Sequence, residues 1–152
     1  MKIDLTFWQK KTYEDYGDKD QDLGFEQVHL RALKTVGDLA ELLHGKNRCE
    51  LEELLSNLVS WIISLANLSG VELGKIEISC DFKDWDVYSL YTSLVSDIAD
   101  LSKEKMRSWK EIYVRAIKEC IGLGWKYGIS LVKEFQRRYI TDGIDENVEN
   151  KI

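Results

Sequence analysis

Apolar residues recur at steps of three and four along two long stretches of the chain. Phe25, Val28, Ala32, Val36, Leu39 and Leu43 fall on one face of a helix, and Leu51, Leu54, Leu55, Leu58, Ile62, Leu65 and Leu68 do the same. Between them His44-Gly45-Lys46-Asn47 has the chemistry of a turn, and Ser69-Gly70 supplies a stop. The pattern predicts an antiparallel helical hairpin. Ahead of it, Lys2-Ile3-Asp4-Leu5-Thr6 alternates apolar and polar in the manner of a half-buried strand.

The second half repeats the plan. Asp97-Ile98-Ala99-Asp100-Leu101 follows Asp38-Leu39-Ala40-Glu41-Leu42 at an offset of 59, and Glu111-Ile112 follows Glu53-Leu54 at an offset of 58. At that second offset Gly128-Ile129-Ser130-Leu131 answers Gly70-Val71-Glu72-Leu73. The start of each unit also matches, Lys75-Ile76-Glu77-Ile78-Ser79 against the opening strand. We read one domain over residues 1–152, built from two diverged strand–helix–helix units, 1–74 and 75–152. The expected fold is mainly all-α, with a four-helix core from two tandem hairpins and two short strands able to pair. Residues 8–24, with Trp8, Gln9, Tyr13, Tyr16 and an acidic run, have no counterpart in the second unit.

Composition adds constraints. The chain has 152 residues, a net charge of −6, ten glycines and no proline, so long helices run without interruption. A sequence pI near 5.0 disfavours general nucleic-acid binding. Cys49, Cys80 and Cys120 form no CxxC pair, and buried thiols in a reducing compartment are expected. The start of the chain has no signal-peptide pattern, and the longest apolar stretch, Leu58 to Ala66, is too short to span a bilayer. A cytoplasmic protein without membrane contact is expected.

Asp18, Asp20 and Asp22 have the first three spacings of a calcium loop, but Leu23 and His29 stand where such a loop needs glycine and glutamate. The run is read as a solvated loop leading to a helix near Phe25. His29 and His44 have no Ser or Cys partner in the pattern, so nucleophilic hydrolysis has no support. Paired carboxylates remain. Asp38 and Glu41 are three apart on the first helix, and Glu50 and Glu53 three apart at the start of the second, where acids also suit the helix dipole. Facing one another, such pairs make an oxygen-rich place for Mg²⁺ and a phosphate-bearing substrate.

A longer pattern runs through the first unit. It comprises Phe7-Trp8-Gln9, then Leu33-Lys34-Thr35-Val36-Gly37-Asp38-Leu39-Ala40-Glu41-Leu42, then Glu53-Leu54-Leu55-Ser56-Asn57 to Trp61, closing on Leu65-Ala66-Asn67 and Gly70-Val71-Glu72-Leu73. This resembles the MazG-like all-α nucleotide pyrophosphohydrolases, a superfamily that includes dimeric dUTPases. The resemblance implies Mg²⁺ bound by two acids on each helix, at the positions of Thr35, Asp38, Leu54 and Asn57; only Asp38 keeps a carboxylate. Asn57 offers a neutral oxygen, and Glu53 lies one turn before it.

Two readings follow. In one, Mg²⁺ held by Asp38, Glu41, Glu53 and Asn57 lets an activated water cleave a nucleoside triphosphate to its monophosphate and pyrophosphate, with Asp38 and Glu53 central to catalysis. Trp8 and Gln9 then contact the base, as the resemblance implies, with Lys46 or Arg48 on phosphate. In the other, the chain is a non-catalytic relative that binds nucleotides or another protein. A homodimer is compatible with either. A third feature, the alternating basic and aromatic residues from Lys133 to Tyr139, would suit an anionic partner, although Arg137 and Arg138 also complement a helix C-terminus.

Overall fold

The computed structural model describes residues 1–45, 47–78, 82–101 and 109–140. In chain order these form β1 (Lys2–Asp4), α1 (Leu5–Leu23), α2 (Phe25–Leu42), α3 (Arg48–Leu68), β2 (Lys75–Glu77), α4 (Val87–Asp100), α5 (Trp109–Lys126) and α6 (Leu131–Ile140). The fold is mainly all-α, as the periodicity predicts. Helices α2 and α3 make the first hairpin, α4 and α5 the second, and contacts of α2 with α4 and of α3 with α5 join them into a four-helix core. Lys46, Cys80, the second turn expected at Ser102-Lys103-Glu104 and residues 142–152 lie outside the described residues. No helix among the described residues is long and apolar enough to cross a membrane.

Helix α3 occupies the centre. Its residues Ile62 to Ala66 are buried without a break, which a one-faced surface helix cannot show. It packs against α1, α2, α5 and α6. The small sheet pairs β1 and β2 antiparallel, with Ile3 opposite Ile76, and both isoleucines are buried. On the outer face Lys2 lies opposite Glu77 and Asp4 opposite Lys75, two cross-strand pairs of opposite charge.

Helices α3 and α5 end alike. The Val71 amide donates to the Ala66 carbonyl (3.0 Å) and Gly70 to Asn67 (3.2 Å); Ile129 donates to Gly124 (2.8 Å) and Gly128 to Trp125 (3.1 Å). These are two Schellman closures, and each needs a left-handed residue, supplied by Gly70 at φ 69° and Gly128 at φ 73°.

Residues 8–24 correct the sequence reading. The acidic run belongs not to a loop but to the last turns of α1, and Asp20 is buried. Asp4 caps this helix by accepting from the Phe7 amide (3.2 Å). Hydrophobic periodicity gives no sign of α1, because its buried residues are largely polar or small: Gln9, Lys11, Thr12, Gly17 and Asp20 accompany Leu5 and Trp8. Cys49 is a second correction, since its thiol is exposed while Cys120 is buried.

Polar contacts fix α1 to the segment after α3. The Gln9 amide donates to the Val71 carbonyl (2.8 Å) and to Asn67 Oδ1 (3.1 Å), and Gln9 Oε1 accepts from the Leu73 amide (2.8 Å). Asn67 Nδ2 donates back to the Gln9 carbonyl (3.1 Å), and Thr6 Oγ1 accepts from the Gly74 amide (3.0 Å). Replacing Gln9 by alanine strands a buried amide and a carbonyl, so Gln9→Ala is expected to lower unfolding stability by about 2–3 kcal/mol in urea titration.

Candidate functional site

A cleft of about 520 Å³ opens between four helices, within the size range of small-molecule sites. One wall is α1, through Tyr16, Lys19, Asp20 and Leu23; the facing wall is α3, through Asn57, Ser60, Trp61 and Ser64. Both sets have the i, i+3, i+4 step that places side chains on one helix face. Arg31 of α2 and Arg138 of α6 complete the lining.

The cleft is cationic in an acidic protein. Lys19, Arg31 and Arg138 line it with a single carboxylate, Asp20. The Arg31 guanidinium lies over the Trp61 ring at 6.0 Å from its centroid, and that of Arg138 over Phe135 at 4.8 Å. Burial raises the Asp20 carboxyl above the ordinary range, with a smaller opposing effect from the Ser64 hydroxyl. An anion flanked by a planar ring is the chemistry this lining accommodates: cations for the charge, Trp61 for the ring, and Asn57 and Ser60 for polar groups.

The residues expected from the sequence sit elsewhere, apart from Asn57. Asp38 is exposed and accepts from Lys34 Nζ (2.8 Å), one turn earlier on α2. Glu41 and Glu53 are exposed. No three His, Cys, Asp or Glu side chains among the described residues are grouped so as to hold a metal ion, so Asp38, Glu41 and Glu53 do not converge. Leu54, on the same helix, contributes only hydrocarbon. The donor set therefore does not fit Mg²⁺, which needs several oxygens around one point.

The four expected substrate contacts are largely occupied by the fold. Trp8 is 4% exposed and stacks on Phe135 with centroids 4.8 Å apart. Gln9 borders a shallow depression of about 280 Å³, but both amide hydrogens go to Val71 and Asn67. Arg48 donates through Nη2 to the carbonyl of Gly128, the left-handed residue that follows α5. Lys46 lies outside the described residues. Along α6, Phe135 and Tyr139 face the core rather than a partner, and Arg137 pairs with Glu134.

Comparison with protein-family models, curated proteins and solved structures gave no match. The chemistry rests on the chain's own residues.

The second hairpin holds a different polar group at the equivalent place. Asp97, which stands where the repeat puts Asp38, is 3% exposed and accepts from Arg115 Nε (2.9 Å) and Nη2 (2.6 Å). Arg115 stands where the same repeat puts Asn57. Beside them Glu119 is fully buried, accepts from Ser93 at Oε2, and has no donor to Oε1 among the described residues. Burial, then hydrogen bonding to Asp97, pushes its carboxyl up to about 9. The hairpin thus holds a carboxylic acid beside an arginine-bound carboxylate.

The sequence reading missed Lys19, Arg31, Trp61 and Ser64 as site residues; it weighed Asp20 only in a calcium-loop pattern and Arg138 only in the basic and aromatic alternation before Tyr139. A signal was present: Asn57, Ser60, Trp61 and Ser64 form a polar or semi-polar stripe along an otherwise apolar helix, and such a stripe must face solvent or a cavity. A raised carboxyl in the folded state makes stability greatest below the ordinary glutamate value and progressively lost as pH rises to the folded value. Between about 4.5 and about 9, denaturation midpoints should therefore fall, and Glu119→Gln should flatten that slope.

Proposed function

We propose that the protein is a nucleotide-binding module with a MazG-like helical scaffold, which holds its ligand through the cationic cleft rather than through carboxylate-bound Mg²⁺. The observation that carries this reading is the lining of the cleft, where Lys19, Arg31 and Arg138 stand together with Trp61, whose ring lies under the Arg31 guanidinium. Arginine and lysine neutralise phosphate directly, and Trp61 offers a face on which a base stacks. The resemblance in the first unit supplies the ligand class. The exposed and separated positions of Asp38, Glu41 and Glu53 argue against the hydrolase alternative, in which those carboxylates share one ion.

Thermal-shift measurements with nucleoside mono- and triphosphates and with pyrophosphate, each in Mg²⁺ and in EDTA, test this. A ligand that binds only the native state stabilises it by mass action, about 2.7 kcal/mol at a hundredfold excess over Kd. Stabilisation is expected in EDTA as well as in Mg²⁺. Trp61→Ala and Arg31→Ala should each weaken binding about tenfold or more, through loss of stacking and of a charge-assisted contact. Pyrophosphate release that requires Mg²⁺ and disappears in Asp38→Ala would contradict the proposal in favour of the hydrolase.

A further inference from the structure

One acid stands among the cations of the cleft. Asp20 is 4% exposed, yet it lines both the cleft and a smaller cavity of about 170 Å³ beside it. Ser64 of α3 lines the same cleft, and its hydroxyl favours the charged form against the larger effect of burial. A carboxylate has roughly four lone-pair sites, so one hydroxyl leaves most of its acceptor capacity unused. A desolvated acceptor in that condition gains more from a ligand donor than a hydrated one does.

The helix places this acceptor relative to the ring. Ser64 follows Trp61 by three residues, which is one face of α3 and a rise of about 4.5 Å. A planar base lying against Trp61 therefore brings one edge towards Asp20. Arg31 lies over the same ring and supplies a cation next to any base that packs there.

The base edge is then decided by hydrogen-bond complementarity. An ionised carboxylate only accepts. Guanine offers two adjacent N–H donors on one edge, N1–H and the 2-amino group, which meet both carboxylate oxygens. Adenine and cytosine set an acceptor beside their amino group, and uracil flanks its one N–H with two carbonyls; each of these turns lone pairs towards the carboxylate.

We propose that the ligand of the cleft is a guanine nucleotide whose N1–H and 2-amino group donate to Asp20, with the base against Trp61 and the phosphate towards Arg31 and Lys19. This rests on the nucleotide-binding reading and makes Asp20 the residue that sets base specificity. Calorimetric titration in EDTA with GMP, IMP, AMP, CMP, UMP and pyrophosphate tests it. GMP should bind at least about tenfold more tightly than IMP, which lacks the 2-amino donor, and more tightly than the remaining nucleotides. In Asp20→Asn the affinities for GMP and IMP should converge.

Equal affinity for all bases, or a guanine preference that survives Asp20→Asn, overturns the role of Asp20 and leaves nucleotide binding standing. Binding of pyrophosphate alone overturns both readings and leaves an anion site; binding of nothing in the series overturns the site itself. The GMP and IMP comparison uses the unaltered chain, so the outcome does not depend on the variant folding.

Discussion

The segment that joins α3 to β2 has no strand beside it between Val71 and Leu73, and the Gln9 carboxamide takes the strand's place. Donating to the Val71 carbonyl and accepting from the Leu73 amide, it presents the same paired donor and acceptor as a peptide group. Its second amide hydrogen reaches Asn67, near the Schellman closure of α3. The rest of the arrangement depends on this contact. It fixes α1 along α3, brings the first turn of α1 to the β1–β2 sheet, and leaves the far half of α1 facing the middle of α3 across the cleft.

A helix as polar as α1 gains its place from specific contacts more than from a broad apolar face. Trp8 stacked on Phe135 and the Thr12 hydroxyl with the Tyr139 hydroxyl at 3.0 Å tie it to α6. That same polarity is what the cleft uses. Tyr16, Lys19 and Asp20 stand on one face of α1 opposite the polar stripe of α3, so charged and hydroxyl groups rather than hydrocarbon line the space between these stretches of the two helices. Net charge gives no hint of this: the chain carries −6 overall, while the cleft gathers cations.

The two hairpins were legible because their apolar residues keep a helical period, and the paired strands because each alternates around one isoleucine. Gly70 and Gly128 were legible as stops because each closes its helix where only a left-handed residue fits. Helix α1 was not, since burial of Gln9, Lys11 and Thr12 leaves no apolar stripe to read. Spacing also placed Asp38 with Glu41 and Glu50 with Glu53, but spacing says only that residues share a helix face. Whether that face meets another helix or water is a tertiary matter, and Asp38 pairs with Lys34 at the surface. Gln9 and Arg48 were expected on the base and on phosphate, yet their polar atoms serve backbone groups of this chain.

The second hairpin is closed at the corresponding positions. Where the repeat aligns Asp97 with Asp38 and Arg115 with Asn57, a bidentate ion pair closes the space between α4 and α5. The first hairpin keeps Asn57 in an open cleft instead. Backbone amide NMR of the labelled protein titrated with GMP in EDTA tests most directly whether a ligand occupies that cleft. Shifts confined to Lys19, Arg31, the Asn57–Ser64 face and Arg138 are predicted; shifts centred on Asp38, Glu41 and Glu53, and only in Mg²⁺, would contradict that placement.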